Sequence, residues 1–148
     1  MKIKGLVITA AVFAALGLIV GMIYHGMMMS FGTGGSAMAA THPMTLALGC
    51  GGFLVAAIFE KFFSLSSSKL SKPAYIIYTV GVVFTVIMLI VRGYAQMSGA
   101  ALSDGADAAI SGLAGIAHAV LAAGMVLFFI MLIRSVCATC GKDGDAGK

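Results

Sequence analysis

Four long apolar stretches, separated by short polar connections, restrict this chain to very few folds. A helix needs about 20 predominantly apolar residues to cross ~30 Å of hydrocarbon. Residues 5–25, 73–97 and 106–134 meet that length at once, and 42–62 is apolar for just long enough. With no water in the bilayer core, each such segment must satisfy its backbone amides internally, which makes each of them a helix. The expected fold is therefore an all-α membrane protein, a four-helix transmembrane bundle occupying residues 1–136, with 137–148 as a flexible cytoplasmic tail.

Composition supports the membrane reading. Of 148 residues, 61% are hydrophobic and only 9% are charged, with a mean hydropathy of +1.09. A soluble domain of this size carries far more polar surface. The net charge of +4 needs no nucleic-acid partner, because the positions of the basic residues explain it as topology and as attraction to anionic lipid. Lys2 and Lys4 precede the first span, Lys61, Lys69 and Lys72 separate the second and third, and Arg134, Lys142 and Lys148 follow the fourth. Only Arg92 falls on the other side, beside Asp104 and Asp107. The excess of Lys and Arg places both termini in the cytoplasm, and short connections give up-down-up-down order, with spans two and four diagonally opposite. Residues 1–40 imitate a secretory signal, but the apolar run is too long and the small-residue site at Ala37-Met38-Ala39 too distant, so the segment reads as a retained first helix.

Ionisable residues inside such spans are costly and point to function. The chain has three histidines. His25, His42 and His118 each lie ~24–32 Å from the nearest cytoplasmic-side charge at ~1.5 Å per residue, so they share a layer near the outer face. On diagonal helices, His42 and His118 make a candidate pair of axial ligands for a haem. Gly115 and Ala122 flank His118 by one turn, and Gly49 follows His42 by two turns, which offers thin walls for a flat ring. Arg92 belongs to the same layer and suits a haem propionate, although Asp104 or Asp107 serves equally well as its partner. Each residue also has a plain reading. His25 fits an interfacial polar residue, and His42, next to Pro43 at the expected helix start, fits a cap. His118, inside an apolar helix with no polar neighbour in its own turn, is the hardest to explain so.

A softer signal lies in the first outer connection, where Met27, Met28 and Met29, with Met44, His25 and His42, make a candidate outward-facing copper site. Methionine also fills irregular apolar gaps well. Cys137 and Cys140 have the spacing of half a zinc site or a redox pair, and a reducing cytoplasm keeps them as thiols. Cys50 reads as packing, and Glu60 beside Lys61 as an interfacial charge pair. No nucleotide-binding glycine loop, hydrolase triad or pair of acids occurs, so hydride transfer and hydrolysis have no residues to perform them.

The segment 102–118, LSDGADAAISGLAGIAH, resembles a small four-span bacterial family catalogued as domain of unknown function 2871. So do Val91-Arg92-Gly93, the Glu60-Lys61 run and His42 with Leu48-Gly49, and the likeness covers about 17–133. In the family pattern span two opens with two histidines one residue apart; here His42 fits the first and Met44 stands at the second. His25-Gly26 stands where many relatives carry charged residues, and the cysteine tail is an addition. The resemblance implies the four-span architecture and a bacterial inner-membrane location, and it marks His42, His118 and Arg92.

The reading that unites these features is a b-type haem protein of the bacterial cytoplasmic membrane. His42 and His118 are its expected axial ligands, with Arg92, Gly49 and Gly115 around the ring and His25 and Met44 as supporting or alternative ligands. Electron transfer or small-gas binding is the expected work. The expected partners are the lipid bilayer, a redox partner or quinone, and a second copy of the chain. The alternatives are copper handling by the Met/His cluster, and a structural or transport module with no cofactor.

Overall fold

The computed structural model describes residues 2–31 and 35–145, and side chains as far as residue 138. It contains helices α1 (Ile3–Phe31), α2 (Ala37–Phe63), α3 (Ser71–Met97) and α4 (Asp104–Asp145), and no strand occurs among the described residues. All four are long and apolar enough to cross a membrane. The chain reverses over short connections, which gives an antiparallel four-helix bundle.

The helices extend beyond the spans read from sequence. α1 runs on through Met27, Met28 and Met29 to Phe31 rather than ending near 25, because nothing between Gly26 and Phe31 opposes the helix more strongly than one glycine, a cost of about 1 kcal/mol. α2 starts at Ala37, where Ser36 caps the first turn by accepting the Met38 N–H at 3.2 Å. His42 therefore lies more than a turn inside a helix and is not a capping residue. α4 continues to Asp145, so 137–145 is a helical extension rather than a separate tail. Its start is as expected, with Ser103 Oγ accepting the Ala106 N–H at 3.3 Å. Glu60 does not pair with Lys61; its carboxylate accepts the Ser66 N–H at 2.7 Å and the Ser66 hydroxyl at 2.5 Å, closing the connection between α2 and α3.

α2 changes pitch along its length. Ala37–Ala40 is 3₁₀, Thr41–Met44 α, Thr45–Gly51 π and Gly52–Phe63 α again. Pro43 sits at the first transitions, where its missing N–H and its ring preclude a regular ladder. Within the π segment the Leu48 carbonyl accepts from Tyr78 Oη of α3 at 2.9 Å. Gly52 makes the approach possible, since a Cβ there would collide with that hydroxyl.

The core joins all four helices through Leu6 and Phe13 of α1, Phe53 and Ala56 of α2, Val82 of α3 and Leu121 of α4. Phe13 stacks on Phe53 with ring centroids 5.6 Å apart, and Tyr75 and Tyr78 meet Phe53 edge-on at 5.5 and 5.4 Å. α3 and α4 come closest, because Gly81 faces the Leu121 backbone while Gly124 faces the Tyr78 backbone. α2 touches the other three helices. It is thus not diagonally separated from α4, and the two line one apolar cavity of about 350 Å³ with Leu48, Gly51, Tyr78, Met125 and Phe128. No histidine lines that cavity.

Candidate functional site

The three histidines divide between two faces of the bundle. His42 projects from α2 against α1, where Nδ1 lies 2.8 Å from the Gly17 carbonyl. A carbonyl oxygen can only accept, so Nδ1 carries a proton and donates it. The ring packs against Gly21, where a Cβ would stand 2.8 Å from Nδ1. Gly17, Gly21 and His25 recur every four residues and share one face of α1, so His25 stands one turn beyond the seat of His42. His25 itself is exposed and half-buried Met44 is two residues from His42, on another side of α2.

His118 faces away from the bundle. Its Nδ1 donates to the Ala114 carbonyl of its own helix at 2.8 Å, and the ring is exposed. On the same exposed surface Gly112 and Gly115 have no atom within 4 Å of where a Cβ would stand. Ala119 and Ala122 extend this shallow surface by a further turn.

One chain therefore does not assemble the expected pair. His42 is directed at α1 and His118 out of the bundle, and α2 and α4 pack where a ring was expected to lie. Gly49 offers no room either, because the Phe13 ring fills the space beside it; a Cβ would stand 2.6 Å from that ring. Gly115 alone keeps the open space that its role requires. Among the described residues no group of three or more His, Cys, Asp or Glu side chains is placed to hold a metal ion. The side chain of Cys140 lies outside the described residues, and Cys137 is exposed.

Arg92 pairs with Asp107, one of its two acidic candidates. The pair borders an open cleft of about 650 Å³ between the C-terminal end of α3 and the N-terminal end of α4, lined also by Gln96, Gly99, Leu102 and Asp104. Gln96 was not singled out in the sequence, although it follows Arg92 by one helical turn and so shares its face. The seat of His42 on α1 had a legible signal in the four-residue spacing of Gly17 and Gly21, whereas the π segment had none.

A family described as protein of unknown function (DUF2871) matches residues 3–135. The chain belongs to this family. The matched range includes all three histidines and Arg92, while Cys137 and Cys140 lie beyond it. No curated protein and no solved structure matches the chain.

Proposed function

We propose that the protein is a b-type haem-binding protein of the bacterial cytoplasmic membrane, with His118 as an axial ligand on the outward face of α4. The observation that supports this most is the Nδ1–H···O bond of His118 to Ala114 at 2.8 Å. It places a proton on Nδ1, so that Nε2 is the nitrogen through which a neutral imidazole here would ligate, the arrangement a metal-ligating histidine uses. An imidazole presented to hydrocarbon is costly without a partner, and Gly112 and Gly115 beside it leave space for a flat apolar group.

One histidine per face supplies two axial ligands when two copies of the chain meet through α4. The open space beside Gly112 and Gly115 would receive the ring between the two helices. The second ligand is then the partner copy's own imidazole rather than His42. His42 acts in this reading as the polar contact between α1 and α2, with His25 and Met44 outside the site. The haem would supply reversible one-electron chemistry or a site for a small gas. The distribution of Lys and Arg supports cytoplasmic termini and an outward position for His118.

Haem and metal content of the purified protein test the proposal. It predicts iron and haem at one per two chains, with dimers and haem both lost in His118→Ala. Copper without iron would replace it with the outer methionine and histidine cluster. Protein without either metal would leave a structural or transport module.

A further inference from the structure

We propose that the cleft at the outer ends of α3 and α4 binds the head group of a zwitterionic aminophospholipid, with its phosphate on Arg92 and Gln96 and its ammonium on Asp104. This does not rest on the haem reading, since the α4 residues of the cleft, Asp104 and Asp107, stand ~16–21 Å along the helix from His118.

The cleft holds both kinds of polar group, unspent. Arg92 engages Asp107 through Nη1 alone, so its Nε and Nη2 donors remain available. Gln96 Oε1 accepts the Ala37 N–H at 2.7 Å, which fixes the amide and leaves its NH₂ to donate. The Asp104 side chain, in the first turn of α4, makes no hydrogen bond or ion pair among the described residues. Two guanidinium donors and an amide call for an oxyanion, and the unpaired carboxylate calls for a cation. A simple anion meets two carboxylates against one guanidinium, and a simple cation leaves the donors unused. A ligand with both charges satisfies the set, and the volume of about 650 Å³ admits a head group.

Position identifies the source of that ligand as the membrane. α3 has 27 residues, and at ~1.5 Å per residue it exceeds ~30 Å of hydrocarbon by about 10 Å. Arg92 lies ~30 Å from Lys72, which marks the opposite boundary, so the cleft sits at head-group depth. Tyr94, 56% exposed and two residues beyond Arg92, is an interfacial aromatic at the same level. Leu102, 37% exposed, gives the rim an apolar edge. A primary ammonium can donate hydrogen bonds to Asp104 and a quaternary one cannot, so the cleft selects phosphatidylethanolamine over phosphatidylcholine.

The test uses delipidated full-length protein titrated with mixed micelles of phosphatidylethanolamine, phosphatidylcholine or phosphatidylglycerol of matched acyl chains, with bound lipid counted by native mass spectrometry. Phosphatidylethanolamine should bind about tenfold tighter than either of the others. Asp104→Asn, an exposed change that leaves the fold intact, should abolish that preference, and Arg92→Gln should weaken all three. Equal binding of the three lipids, or an unchanged preference in Asp104→Asn, overturns the proposal. Soluble phosphoethanolamine that displaces the lipid at matched concentration also overturns it, by assigning the cleft to a soluble zwitterion.

Discussion

Substituting alanine at Gly81 or Gly124 tests the packing of α3 on α4. A Cβ at Gly81 would stand 2.5 Å from Leu121 Cα and 2.7 Å from its nitrogen, and one at Gly124 would stand 2.6 Å from both Cα and nitrogen of Tyr78. Normal carbon contacts lie near 3.5–4.0 Å, so each methyl overlaps its neighbour by about 1 Å. The obstructing atoms are backbone, and no rotamer change relieves them. The helices must separate, which costs about 1–3 kcal/mol per site as overpacking, less the gain of up to about 1 kcal/mol for replacing glycine in a helix. Because one separation accommodates both methyls, the double variant should cost less than the sum of the singles. Thermal unfolding in detergent micelles measures this, with Gly5→Ala as control, since no atom lies within 4 Å of its Cβ position. Neutral single variants, or strict additivity, would refute the close crossing.

Three further outcomes follow from the same structure. Thr85 Oγ1 is buried without a hydrogen-bond partner, so Thr85→Val should raise stability by about 1 kcal/mol; a lower unfolding midpoint would show that the hydroxyl is bonded. Ser64 holds φ 48° at the C-cap of α2, and Ser64→Gly should stabilise by about 1 kcal/mol by removing the left-handed penalty, read in the same melts against wild type. His42→Ala deletes the contact with Gly17 and empties the space over Gly21, and should cost about 1–3 kcal/mol while leaving bound haem per chain unchanged.

The spans were legible because the bilayer imposes a length and a composition on each of them, and hydropathy records both. Helix ends were less legible. Met27 to Met29 between glycines read as a loop, yet nothing there stops a helix, and the Ser36 cap that starts α2 lies close behind Pro43, the stronger local signal. Helical faces were the least legible. Depth along the axis follows from counting residues, which placed His42, His118 and Arg92 in one layer. Direction around the axis depends on packing, and the aperiodic apolar content of α1 and α4 carries almost no record of which side faces inward. The π segment adds to this, because it rotates everything after Thr45 relative to a regular helix. Gly49 illustrates the result: its spacing from His42 suggested room for a ring, and Phe13 of α1 occupies it.

The most direct measurement of the functional account is the absorption spectrum, oxidised and reduced, of the wild type, His118→Ala and His42→Ala purified from haem-sufficient cells. The account predicts a Soret band that shifts on reduction in the wild type and in His42→Ala, and its loss in His118→Ala. A colourless wild type, or a His118→Ala spectrum indistinguishable from that of a coloured wild type, would contradict it.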